Sequence, residues 1–155
     1  MENVAVYFDF LVKHEAIHLI VALLLCVLVY RWYQAWSLIF LLLGITLLMD
    51  ADHLFDCYKV FGGNFNIQDF VLGKYWASTS SLFVPLHSWE IVIAAWLFCW
   101  YIGRVDIGLV IALAMSGHIL VDQFTYAMHP LAYSFIFRAA HGFHSLYFTA
   151  GSFLH

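Results

Sequence analysis

"AWSLIFLLLGITLLMDADHLFD", residues 35–56, decides how this chain folds. Residues 35–48 carry no charged side chain, and then three aspartates and a histidine follow within residues 49–56. An uncharged run of that length reads as a helix in hydrocarbon, because only there is a continuous apolar surface favoured on every side. The charge packed at its end is either a solvated border or the wall of a site.

The rest of the chain belongs with this stretch. It has 155 residues, 65% of them hydrophobic and only 10% charged, which is the composition of a single integral membrane domain. Crossing a bilayer takes about 17–25 apolar residues, and four runs approach that: 14–30, 35–49, 87–103 and 106–121. The links "RWYQ" (31–34) and "GRVD" (103–106) are short, so the runs pair into two helical hairpins. Residues 51–86 join the hairpins as a loop with room for an interfacial helix, where Tyr75 and Trp76 suit the headgroup belt. The apolar tail, 131–155, is broken by "RAAHGFH" and is expected to add a fifth span. The fold class is therefore an all-α integral membrane bundle of four transmembrane helices in two hairpins plus a C-terminal apolar helix.

Several function classes drop out. Ten acids against six bases give a net charge of -4, with no basic stripe for nucleic acid. Cys26, Cys57 and Cys99 are isolated and show no CxxC spacing, and two of them lie inside apolar runs, where they read as small core residues. The N-terminus lacks a basic start and a small-residue cleavage site, so no removable signal peptide is expected. Arg31 and Arg104 flank one membrane side and Lys13, Lys59 and Lys74 the other, a balance that sets no orientation.

An up-and-down path places the start of the first helix, the end of the second, the start of the third and the end of the fourth on one membrane face. His14, Glu15 and His18 fall there, with Asp50, Asp52, His53 and Asp56, then His87 and Glu90, then His118 and Asp122. The opposite ends carry no histidine and one acid, Asp106. A solvated border would scatter its charges over both faces. Residues three or four apart share a helix face, so His14 with His18, His87 with Glu90, and His118 with Asp122 can each turn two groups to a common ion. Imidazole mixed with carboxylate suits zinc, manganese or non-haem iron. The expected metal set is His14, His18, Asp50, Asp52, His53, His87, His118 and Asp122, more ligands than one ion takes. Asp52 or Glu90 is a candidate general base where it is not a ligand. Glu15 points about 100 degrees away from its histidine neighbours and reads as facing solvent or lipid headgroups; Asp56 and Asp69 read as loop residues, Asp56 on the solvated border. Further candidates are His129, His141 and His144, with Arg138 placed to grip an anionic or phosphate group.

"MDADH" at 49–53, "LHS" at 86–88 and "GHILVDQFT" at 117–125 resemble, in order, the D-x-D-H, T-H-S and S-H-x-x-x-D signatures of a family. The family is that of the bacterial inner-membrane metal-dependent hydrolases, a LexA-associated group, and the likeness covers residues 14–126. It implies a metal site at Asp50, Asp52, His53, His87, His118 and Asp122 with His14 or His18. It also implies residence in a bacterial inner membrane. His118, Asp122 and His129 are faintly similar to part of the zinc phospholipase C pattern as well. The chain departs from the family at Met49, where proline is usual, at Leu82 and Phe83, where a His-Arg pair is usual, and at Leu86 in place of threonine.

The leading expectation is a membrane-embedded hydrolase using a divalent metal, zinc first, on a lipid phosphoester, ester or other amphiphile near the headgroups. The alternative is a non-enzymatic small subunit that binds metal or haem or scaffolds a larger complex. Flanking carboxylates weigh against haem, and apolar helix centres weigh against an ion path. A di-iron hydroxylase ranks third because tandem HxxHH boxes are absent.

Overall fold

A computed structural model describes residues 2–126 and 128–145 of the chain. Its long helices are α1 (Glu2–Tyr33), α2 (Trp36–Leu48), α6 (Trp89–Tyr101) and α7 (Val105–Thr125). Short helices α3 (His53–Phe61), α4 (Ile67–Val71) and α5 (Lys74–Ser78) lie between the hairpins, and α8 (Phe135–Ala140) follows α7. Among the described residues the only β pairing is an isolated bridge between Ser81 and His144.

Among the described residues three helices are long and apolar enough to cross a membrane: Leu11–Tyr33, Trp36–Asn64 and Val105–Thr125. The second is longer than the sequence suggests, because the helical path does not stop at Met49. It tightens into a 3-10 turn over Met49–Asp52 and runs on as α3. α6 has 13 residues and spans about 20 Å, against a hydrocarbon core of about 30 Å. Residues 131–145 of the tail form turns and the six-residue α8, and the remainder of the expected fifth span, 146–155, lies outside the described residues.

Both hairpin links are tight. Gln34 takes a positive φ of 52° between α1 and α2, and Gly103 takes 75° between α6 and α7. That value favours glycine, which has no Cβ to clash.

α7 packs against α1, α2 and α6 and is the hub of the bundle. Two glycines permit its close approaches. A Cβ on Gly108 would stand 2.7 Å from Cys99 Cβ of α6. One on Gly117 would stand 2.8 Å from the end of the Leu25 side chain on α1. Small residues at such contacts suit a lipid setting, where helices associate through packing and not through exclusion of water.

The buried rows explain where the site lies. On α1, His14, His18, Ala22, Cys26 and Val29 are all buried, which is one continuous helix face. On α7 the matching row is Val110, Ala114, His118 and Asp122. The apolar halves of these rows pack together with Leu38, Ile39 and Leu42 of α2. The polar halves are the ends of the same seams, so the packing that buries the core also brings the histidines and the aspartate together.

Candidate metal centre

Four segments deliver ligands to one place. α1 supplies His14 and His18, and α7 supplies His118 and Asp122. The turn after α2 and the first residue of α3 supply Asp50 and His53. The loop before α6 supplies His87. His14, His18, His87, His118 and Asp122 are all buried, while the Asp50 side chain is 39% exposed.

Asp122 stands at the centre. Its Oδ1 lies 3.2 Å from His14 Nε2 and 3.0 Å from His18 Nε2, and those two nitrogens are 3.0 Å from each other. Its Oδ2 lies 3.5 Å from His87 Nε2 and 3.6 Å from His118 Nε2. Asp50 Oδ1 closes the far side, 3.3 Å from His118 Nε2 and 3.6 Å from His87 Nε2, with His53 Nε2 at 3.8 Å. Ligand atoms about 2.0–2.2 Å from a tetrahedral ion stand roughly 3.3–3.6 Å apart.

Hydrogen bonds do not account for this arrangement. His87 Nδ1 lies 3.1 and 3.2 Å from the two Asp52 oxygens. An ionised carboxylate only accepts, so a ring proton sits on Nδ1, and in the neutral ring Nε2 is then a bare lone pair. That lone pair faces the oxygens of Asp50 and Asp122, and neither His87 Nε2 nor either ring nitrogen of His118 has a hydrogen-bond partner among the described residues. Buried polar atoms of that kind call for an explanation, and a cation among them is the simplest one. The residues thus fit a divalent metal.

The loop carrying His87 is held from both sides. Asp56 accepts from the backbone N–H of Phe83 at 2.9 Å and of Val84 at 3.1 Å. Asp52 accepts from the N–H of Leu86 at 2.8 Å. Arg138 donates to the carbonyls of Phe83, Val84 and His87 at 2.9, 3.1 and 3.0 Å. This corrects two expectations. Asp56 is fully buried and not a border residue, and Arg138 directs its guanidinium at backbone and not at an anion site. Asp56 lies four residues after Asp52, and that helical spacing was the available signal.

Other candidates fall elsewhere. Glu90 accepts from Ser134 Oγ and from the N–H groups of Phe135 and Ile136, so its carboxylate fastens the start of α8 and does not join the cluster. Asp52 supports His87 from behind, a role distinct from ligation. His129 Nδ1 accepts from Leu131 N–H while its ring stacks on Phe137, and His141 Nδ1 pairs with the Phe137 carbonyl. His144 is exposed and holds its backbone bridge to Ser81. Asp69 is buried in α4 and binds Lys74. Glu15 is exposed, as expected.

A cavity of about 420 Å³ opens onto the cluster. His14, Asp50, His53, His87 and Asp122 form its polar floor, and Leu11, Leu47, Phe70, Val71, Tyr126 and Tyr133 are among its walls. Tyr75 and Trp76 belong to it too, their rings 5.8 and 6.0 Å from His53. Tyr75 is buried, so it is a wall of the site in place of the expected headgroup anchor. Among known proteins, the chain matches no family model, no curated protein and no solved structure.

Proposed function

We propose that this chain is a membrane-embedded metal-dependent hydrolase that cleaves a phosphoester or ester of an amphiphilic lipid at the depth of the headgroups. One observation carries the proposal. The ring nitrogens His87 Nε2 and His118 Nε2, which have no hydrogen-bond partner among the described residues, converge with the Asp50 and Asp122 carboxylates at the floor of a largely apolar cavity. Perturbed polar groups converging in such a cavity are the usual mark of a reaction site.

His14, His18, Asp50, His53, His87, His118 and Asp122 are the residues placed to hold metal, with zinc favoured and manganese or iron compatible with the mixed donors. A bound divalent ion supplies a Lewis acid and lowers the pKa of a coordinated water toward about 7. The chain does the rest. Asp52 fixes the His87 tautomer, the aromatic wall over His53 limits water, and the apolar walls take up the non-reacting part of an amphiphile. His14 and His18 near the start of Leu11–Tyr33 and His118 and Asp122 near the end of Val105–Thr125 suit a substrate whose headgroup and tail divide at that level. The sequence resemblance to the inner-membrane metal-dependent hydrolases supports the same reading and a bacterial inner-membrane location.

The test is hydrolysis of bis(p-nitrophenyl) phosphate and of phospholipid in mixed micelles by metal-loaded protein. Nitrophenolate or headgroup release that chelation abolishes is expected. Metal-loaded protein that leaves phosphodiester, phosphomonoester and carboxylic ester probes all intact would remove the hydrolase and leave a metal-binding subunit.

A further inference from the structure

We infer that the centre is dinuclear, with the Asp122 carboxylate bridging two ions. The inference rests on the metal reading above and goes beyond it by dividing the ligands. Oδ1 of Asp122 and the Nε2 atoms of His14 and His18 form one set, at mutual distances of 3.0–3.2 Å. Oδ2 of Asp122, His87 Nε2, Asp50 Oδ1 and His118 Nε2 form the other, with His53 Nε2 at its edge, 3.8 Å from Asp50 Oδ1. Around that second set nitrogen and oxygen alternate, and neighbouring atoms are 3.5, 3.6, 3.3 and 3.6 Å apart.

An ion in the second set alone leaves the first unexplained. Its three contacts are all at hydrogen-bond length, yet with Asp122 ionised no placement of protons satisfies them together. Both histidine contacts to Oδ1 need a proton on each Nε2, because the carboxylate supplies none. Two protonated nitrogens then confront each other across 3.0 Å. Removing either proton leaves a nitrogen lone pair against a carboxylate oxygen at 3.0 or 3.2 Å. A cation between the three atoms resolves every contact at once, since all three turn lone pairs toward it.

Both histidines are 5% exposed and Asp122 is likewise 5% exposed, so water is largely kept from the three atoms. Two sets joined through the two oxygens of one carboxylate fit ions about 3.5–4 Å apart, the spacing of two-metal hydrolytic sites. Such a pair suits an in-line displacement at phosphorus, with one ion near the attacking oxygen and one near the leaving oxygen. Among the ester classes considered, a phosphoester is therefore the favoured substrate. Asp50, partly exposed beside the cavity, leaves the second set as the more open of the two.

Elemental analysis and Mn(II) titration of the full-length protein in detergent test this. About two ions per chain are expected, with an exchange-coupled Mn(II) pair in the electron paramagnetic resonance spectrum. His14→Ala with His18→Ala should retain one ion and lose the coupling. His118→Ala should retain the other ion, and circular dichroism checks that the helices of each variant persist. Should a variant fail that check, the coupled spectrum of the wild-type chain decides by itself. One uncoupled ion per chain, unaffected by the His14 and His18 substitutions, overturns the dinuclear centre even if hydrolysis is observed. Two coupled ions without turnover on any ester probe would uphold the centre and overturn the hydrolase.

Discussion

His87 Nδ1 and Asp52 Oδ1 lie 3.1 Å apart, a buried pair in which the carboxylate decides which ring nitrogen is left to face the metal cluster. Asparagine at position 52 can turn its amide donor to the ring and permit the other tautomer. Asp52→Asn should weaken metal binding by about 10–100-fold, as loss of a supporting carboxylate does elsewhere. Competition with a chromophoric chelator measures it, and unchanged affinity would separate Asp52 from the centre.

Arg138 bears on the same histidine from the backbone side. Arg138→Met removes three donors and leaves the carbonyls of Phe83, Val84 and His87 buried. A loss of about 2–5 kcal/mol is expected, read as a lower thermal midpoint in detergent together with weaker metal binding. Retention of full stability would show that other donors hold this loop.

Glu90 separates a structural carboxylate from a chemical one. Its contacts to Ser134, Phe135 and Ile136 predict that Glu90→Gln lowers stability by about 1–2 kcal/mol and leaves metal content unchanged. Turnover should stay within about threefold, whereas a general base would lose about 10²–10⁴-fold. Steady-state rates on the phosphodiester probe, corrected for folded fraction, distinguish the two.

Gly108 tests the helix packing. Ala at this position meets the Cys99 Cβ at 2.7 Å and the Trp96 carbonyl at 3.2 Å, both on α6 and neither able to swing aside. Gly108→Ala should cost about 1–3 kcal/mol by overpacking. Gly117→Ala meets the flexible end of Leu25 and should cost less. Parallel thermal melts compare the two, and the reverse order would contradict the packing of α7.

The sequence showed three apolar spans because hydropathy in long apolar runs is a local property, while α6 is shorter than the expected third span. It also showed which helix ends bring histidines and acids together, since the spacing of His14 with His18 and of His118 with Asp122 is fixed by the helix itself. Residues 51–86 were not legible in the same way. α3, α4 and α5 are short, and α3 stands on a tertiary contact, Lys59 to Ser81, which no local pattern announces. The burial of Asp56 depends on a loop 27 and 28 positions away in the chain. Glu90 shared its helix end with His87, and only the position of α8 turned its carboxylate aside. Arg138 had the chemistry of an anion site, and backbone carbonyls claimed it first.

If the proposed ion is bound, the seams of α1 and α7, apolar at one end and carrying His14, His18, His118 and Asp122 at the other, tie the protein's folding to its supply of metal. Between lipid-facing helices there is no exclusion of water to hold the pair together. An ion bound jointly by His14, His18 and Asp122 forms only when α1 and α7 are docked, so it acts as a clasp between them. At a free concentration a hundred times its dissociation constant, such a clasp adds about 2.7 kcal/mol to the docked state. In a metal-starved cell the first helix would then be the part of the bundle that lets go.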